Sequence, residues 1–259
     1  MRRHLLILLL VGGLAIGVPA QTRGPAPPAS QMGGRYDQQI QQEVTSELRK
    51  HDWAKDIRAS TEDGVVTLQG TVPLYVYKER AYDKIHNKDH VQGVRNLIAV
   101  AGPEVPNAQL RAKLADKLRY DRIDRGIMFN NFELGVNNGV VIVSGQARTP
   151  ADASSALGIV ENTPGVKDVI DNIKILPPSP RDDELRIQVA RAIYSAPALQ
   201  KYAMSPEAPI RIVVDNGHVT LYGAVDSATD KQIADTEAKT VPGVFSVANK
   251  LVVAGQQMK

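Results

Sequence analysis

The chain has 259 residues, with 31 lysines and arginines against 28 aspartates and glutamates, five histidines and no cysteine. The missing thiol excludes disulfides, cysteine nucleophiles, thiolate metal sites and an acylated lipoprotein N-terminus. Removing Arg2 and Arg3 with the leader described next leaves 29 basic residues against 28 acidic ones, a near-neutral balance that argues against a global nucleic-acid binder.

Arg2 and Arg3 precede an apolar run from Leu5 to Val18, and Val18-Pro19-Ala20 supplies the small residues of a cleavage site. Residues 1–20 therefore read as a secretory signal peptide cut after Ala20, because the run is shorter than the roughly 20 residues a membrane span needs. Export without cysteine fits a bacterial periplasm. Residues 21–35 (QTRGPAPPASQMGGR) hold Pro, Gly, Ala and Ser without apolar periodicity and read as a flexible tether.

Next comes an amphipathic helix with Ile40, Val44 and Leu48 on one face and Asp37 as its expected N-cap. A period-two strand through Ile57, Ala59 and Thr61 leads into EDGVVTLQGTV from Glu62, a string that returns as NNGVVIVSGQA from Asn137 and DNGHVTLYGAV from Asp215. Such self-similarity has to be settled before any fold is assigned; with a spacing of about 75 residues each copy is long enough to be a small domain. The units are 36–102, 105–177 and 181–255, separated by Gly102–Pro106 and by Pro177–Pro180.

The second and third copies repeat the same order. Their helices carry Leu110, Leu114, Leu118 and Leu185, Val189, Ile193, with Asn107 and Asp182 in the place of Asp37. Asp63-Gly64, Asn138-Gly139 and Asn216-Gly217 tolerate positive φ in a tight hairpin turn. Gly70, Gly145 and Gly223 fall on the apolar face of the second strand, where a missing side chain lets a helix pack closely or bends the strand. A second helix starts at Thr149-Pro150-Ala151-Asp152 and Ser227-Ala228-Thr229-Asp230, each an N-cap with a carboxylate at N3. The closing segments VQGVRNLIAV, TPGVKDVIDNIKI and VPGVFSVANKLVV, with Gly93, Gly165 and Gly243, give a third strand. The fold class is α+β: three tandem αββαβ domains, each with two helices on one face of a three-stranded sheet.

This pattern resembles the BON domain (bacterial OsmY and nodulation), whose hairpin reads roughly x-[DN]-G-x-V-x-L-x-G-x-V and whose last strand reads P-G-V-x-x-V-x-N-x-L-x-V. Copy three keeps Pro242, Gly243, Val244, Val247, Asn249, Leu251 and Val253; copy two has Asp171 at the asparagine. Copy one aligns with Gln92 at the proline and Ala99 at the asparagine, which weakens its closing strand. The resemblance implies an envelope protein without catalysis, similar to a periplasmic osmotic-stress factor, and relatives that bind anionic phospholipid through one module.

No other chemistry competes strongly. His86 and His90 stand i, i+4, a spacing that puts two imidazoles on one helix face, but no third ligand and no glutamate of the metalloprotease motif accompanies them. No metal, cofactor or catalytic residue is expected. Ser144 lies in a strand without a nucleophile elbow. The helix of copy two and the residues after it carry Arg111, Lys113, Lys117, Arg119, Arg122 and Arg125 against Asp116, Asp121 and Asp124. That excess suits an anionic bilayer, where each cation contributes about 1 kcal/mol, and equally a solvated helix face.

Trp53, with His51, Lys55 and Arg58 around it, suits a headgroup interface or burial under its hairpin. Tyr75, Tyr77 and Tyr82 read as helix packing, since the basic groove of a nucleic-acid platform is missing. The expected partner is thus an anionic phospholipid surface, with an envelope protein docked on a sheet edge or face as the alternative and nucleic acid excluded.

Overall fold

The computed structural model describes residues 34–120, 127–205 and 209–254. The leader, most of the tether, and Arg122 and Arg125 lie outside them. Gly34 and Arg35, the last tether residues, already belong to a 3-10 turn, Gly34–Tyr36.

Three units follow in the expected order. The first is α1 (Asp37–Arg49), β1 (Ile57–Glu62), β2 (Val65–Val72), α2 (Tyr75–Ile85) and β3 (Gly93–Val100). The second is α3 (Asn107–Tyr120), β4 (Asn131–Asn137), β5 (Val140–Ala147), α4 (Pro150–Glu161) and β6 (Asp168–Ile175). The third is α5 (Pro180–Ser195), a short α6 (Gln200–Ala203), β7 (Ile210–Asp215), β8 (His218–Val225), α7 (Ala228–Thr240), and a last strand in two pieces, β9 (Ser246–Asn249) and β10 (Val252–Val253). Pro180, expected in the linker, is instead the first residue of α5, and Ser179 caps it by accepting the amide hydrogen of Asp182 at 3.2 Å.

In each sheet the second strand is central: it pairs antiparallel with the first through the hairpin and parallel with the third, which the second helix carries back across the sheet. Both helices cover the same face. Val66 and Leu68 meet Ile40, Val44 and Leu48 of α1 and Ala81 and Ile85 of α2 in one buried cluster. Each fully buried aliphatic side chain of this kind contributes about 1.5–3 kcal/mol.

The turn dipeptides adopt the expected left-handed backbone, as at Asn216 (φ 52°) and Gly217 (φ 78°), the geometry that matches strand twist. Asp37, Asn107 and Asp182 are not N-caps. They sit inside their helices' first turns and reach across to the hairpin: Asp182 accepts the amide hydrogens of Asn216 and Gly217, both at 2.9 Å, and Asp37 those of Asp63 (2.9 Å) and Gly64 (2.8 Å). Asn107 accepts one, from Asn138, at 2.8 Å. A turn whose amides point away from its own strands needs an acceptor, and the helix supplies it.

Gly70, Gly145 and Gly223 have φ of 130°, 113° and 114°. A Cβ there would stand 2.0, 2.1 and 1.9 Å from the carbonyl oxygens of Asp56, Asn131 and Pro209, so the close neighbour is backbone at the start of the partner strand and not a helix.

The closing segment of the first unit is in a different register from the one its glycine suggests. Val66 pairs with Val94, as Val141 does with Val169 and Val219 with Val247. Asp89-His90 therefore occupies the place of Pro242-Gly243. His90 takes the left-handed backbone (φ 63°) that Gly165 (100°) and Gly243 (91°) take elsewhere. Gly93 pairs with Val65 as Ser246 does with His218, and a Cβ on it would meet nothing within 4 Å. The asparagine of the pattern is Asn96, not Ala99: its Nδ2 donates to the Lys78 carbonyl at 2.9 Å, as Asn249 donates to Lys231 at 2.7 Å.

The units touch. Tyr75, the first residue of α2, is buried in the core of the second unit beside Leu110, Val143 and Val160. Burial, and then its bond with Glu79, push the Tyr75 hydroxyl pKa up. Between the second and third units, a 3-10 turn, Ile127–Phe129, packs Met128 and Phe129 against the third core and covers β7. Lys174 pairs with Asp215 at 2.8 Å, and the Tyr222 hydroxyl donates to Gln146 at 3.3 Å.

Candidate functional site

The charges of the three opening helices differ in a way their shared fold does not require. α1 carries one cation, Arg49, against Asp37, Glu43 and Glu47; α5 carries three against three; α3 carries Arg111, Lys113, Lys117 and Arg119 against Asp116 alone. Leu110, Leu114 and Leu118 bury one face of α3, and Lys113 and Lys117, one turn apart, lie off it.

The Arg111 side chain is committed to the fold. The Arg111 Nε donates to the Leu134 carbonyl at 3.1 Å. That is a position of the fold: Gln41 in α1 donates to Ala59 at 2.9 Å, and Arg186 in α5 donates to Val214 at 2.7 Å. Each ties the opening helix to the outer edge of the first strand, whose carbonyls have no sheet partner. Arg119 is held by Asp116 at 3.4 Å.

Trp53 and Lys55 are not brought to this helix. Trp53 is half-buried in the first unit, its ring stacked on His51 (centroids 5.1 Å) and on Tyr77 (5.6 Å), with the Arg80 guanidinium 5.5 Å beyond. The cations around it converge on Glu47, which takes Lys50 at 2.8 Å and Lys88 at 3.6 Å. The bond from Lys50 above all, with the charge of Lys88, holds the Glu47 pKa down at about 2. Glu47 thus holds two of the corner's cations, and Lys55 stands exposed beside it.

The two histidines do not share a helix face. α2 ends at Ile85, His86 caps it and stacks on Tyr82 at 4.8 Å, and His90 stacks on Tyr36 at 3.7 Å. Among the described residues no group of three or more histidine, aspartate or glutamate side chains is placed to hold a metal ion, and no helix is long and apolar enough to cross a membrane.

Single-unit reasoning missed the groove that α3 shares with the third unit. A cleft of about 740 Å³ runs between α3 and β4, and Arg211 of β7 reaches into it beside Arg111 and Arg119. Arg211 occupies the open-face strand position held by the exposed Arg58 in the first unit and by Glu133 in the second. The alternation of one strand carries no signal of what a neighbouring unit lays against it. Where the Ile127–Phe129 turn covers β7, even Val213 on that open face is 1% exposed.

The sequence profile described as the BON domain matches this chain three times, over residues 36–102, 106–177 and 182–255. A protein of Anaplasma centrale, known as "Uncharacterized protein in gshII 5'region", is 27% identical over 142 residues, 51% of this chain and 89% of its own length. The C-terminal domain of CdsD, the structural protein of the type III secretion system of Chlamydia trachomatis, aligns at 13% identity and a TM-score of 0.24, over 82% of this chain and 96% of its own. The PrgH periplasmic domain aligns at 10% and 0.21, over 77% and 95%. Similarity at these scores carries no argument about this chain.

Proposed function

The chain belongs to the BON domain family, an envelope-associated and generally non-enzymatic family, with three copies in tandem; on that premise we propose that it is a periplasmic protein that binds anionic phospholipid surfaces in envelope maintenance under osmotic stress. Its signal peptide, residues 1–20, is removed on export. The observation that carries the reading is the charge of α3, four cations against one carboxylate, on a helix whose counterparts are acidic or balanced. Lys113 leads the contact, Lys117, Arg119 and Arg122 extend it, and Trp53 with Lys55 forms a weaker second point. Weak points on one chain gain avidity when they reach the surface together.

Co-sedimentation with vesicles of phosphatidylglycerol and phosphatidylcholine tests this. Binding is expected only with the anionic lipid and falls with salt. Reversing Lys113→Glu and Lys117→Glu together lowers it at least about 30-fold, at about 1 kcal/mol per cation removed. Equal sedimentation with both lipids overturns the proposal.

A second reading rests on the open face of the second sheet, where Ile142 (39% exposed) and Ile170 (43%) adjoin in register beside Gly135. An envelope protein partner docked there would stay bound at high salt, and Ile142→Lys would release it.

A further inference from the structure

We infer that the junction between the first and second domains is a proton-operated catch: ionised Glu161 stands among carboxylates of both domains and loosens the docking of α2 on α4, and protonating Glu161 tightens it. The inference is independent of the lipid reading.

Tyr75, Glu79 and Asp83 recur at i, i+4 and i+8 along α2, a spacing that lines them on one side of the helix. Tyr75 is buried in the second domain's core, so that side faces the second domain, where α2 packs on α4. The Tyr75 hydroxyl bonds Glu79, and the charges of Asp168 and Glu161 act on it as well. Glu161 is the last residue of α4, half-buried, at a helix end whose dipole favours a cation. The strand register puts His86 and Lys239 at this place in the other two domains. An acid stands there only in the domain on which α2 docks.

Burial first, then the charges of Glu79 and Asp83, push the Glu161 carboxyl above its ordinary range; Arg80 of α2 works against them and Asp171 of β6 with them. Lys78 lies over the Tyr75 ring, 5.9 Å from its centroid. β5 has no charged side chain, and α3, the other helix packed on α4, is cationic overall, so its field opposes a shift that is upward nonetheless. Asp171 adds a second weakness. At its place in the other domains, Asn96 and Asn249 donate to the helix carbonyls of Lys78 and Lys231 at 2.9 and 2.7 Å. Asp171 accepts the Ile173 amide hydrogen at 2.9 Å and, when ionised, has no hydrogen to give to the matching carbonyl of Ala153.

Docked, Glu161 holds its proton more tightly than it does undocked, so docking is weakest where the group is ionised in both states, at neutral pH and above. It strengthens as the pH falls toward the ordinary glutamate value of 4.5, below which both states are protonated and nothing more is gained. The test uses the mature chain, whose lack of cysteine lets Gln69→Cys and Asn172→Cys, on the open faces of the first and second sheets, carry a donor and an acceptor dye. Energy transfer in single molecules reads the loose fraction. From about pH 8 to about pH 5 the ratio of loose to docked molecules should fall at least about fivefold, the lower end of the usual coupling between an effector and a second equilibrium. Glu161→Gln should be as tight at the alkaline end as the wild type is at the acid end, with no further pH dependence. Asp171→Asn, which removes one charge and supplies the missing donor, should tighten the alkaline state by less and keep part of the pH dependence.

A ratio that stays flat, a junction that loosens on acidification, or a pH dependence kept by Glu161→Gln overturns the inference. So does a loose fraction that tracks Trp53 fluorescence, because the first domain would then be unfolding and not undocking. A second measurement needs no dye. The Glu161 carboxyl carbon, followed by its resonance, should titrate above the ordinary value in the wild type and fall back toward it in Tyr75→Ala, which breaks the docking. An unchanged titration in that variant also overturns the inference, since the shift would then belong to the second domain alone.

Discussion

In the third domain the chain leaves α7 through Pro242-Gly243, turns with Gly243 at φ 91°, and fastens β9 by the Asn249 bond to the Lys231 carbonyl. In the first it leaves α2 through Asp89-His90, turns with His90 at φ 63°, and fastens β3 by the Asn96 bond to Lys78. The two turns share neither residue, yet the strands enter in the same register, Val94 where Val247 stands. The difference teaches which parts of the motif hold the fold. A valine facing the core and an asparagine tied to the helix fix the strand, and the glycine only makes the turn cheap.

The sharpest way to break the comparison is to add one methyl group in each domain. Gly223→Ala puts a Cβ 1.9 Å from the Pro209 carbonyl at φ 114°, so β7 and β8 must separate. A loss of about 2–4 kcal/mol is expected from backbone strain and overpacking together. Gly93→Ala has open space and no positive φ, and should change stability by less than about 0.5 kcal/mol. Amide exchange in β8 and in β3 reads the two separately. A Gly93 variant as damaging as the Gly223 one would mean that Gly93, and not His90, makes the turn.

Next in size are the helix-to-hairpin ties. Asp182 is 3% exposed and accepts two amide hydrogens, so Asp182→Ala strands both and should cost about 2 kcal/mol. Asn107 is neutral, exposed and accepts one, and its removal should cost about 0.5–1 kcal/mol. If these residues acted only as N-caps the two losses would be equal, because neither cap would involve the turn.

The ties also show where sequence was legible. Hairpins, helices, their order and the inward faces follow from period and turn chemistry, and the chain's own threefold repetition reinforces each of them. The role of Asp37, Asn107 and Asp182 did not follow, because an acceptor in the first turn of a helix reads as a cap whether its donor is local or 26 to 35 residues away. The register of β3 is not legible in the sequence, because Gly93-Val94 imitates Gly243-Val244 while the position aligned with Gly243 holds His90. Of the candidate site, the α3 charges were visible; Arg211 was not, since its neighbours come from another domain. Tyr75 in the second core is hidden for the same reason.

A smaller test separates the two alignments of the first domain. Asn96→Ala removes the donor to Lys78 and the acceptor of the Ile98 amide, and should cost about 1–2 kcal/mol, the same loss expected of Asn249→Ala in the third domain. Ala99→Asn, which would restore the motif in the glycine-based alignment, should gain nothing. Trp53, the chain's one tryptophan, reports unfolding of this domain by fluorescence.

The smallest expected effect goes the other way. A residue other than glycine held at φ 63° loses about 1–2 kcal/mol to crowding between Cβ and the following carbonyl, and His90→Gly removes it. The same change deletes an imidazole stacked 3.7 Å from the Tyr36 ring at 5°, a pair that contributes about 0.5–1.5 kcal/mol and least at an exposed position such as this. Relief exceeds loss, so His90→Gly should raise the first domain's stability by less than about 1 kcal/mol, read as a higher urea midpoint of Trp53 fluorescence. Tyr36→Ala isolates the stack. In a Tyr36→Ala background the gain from His90→Gly should grow, because only the strain remains to be relieved; a gain that vanished there would mean that the histidine is held by something other than Tyr36 and that its turn is not strained.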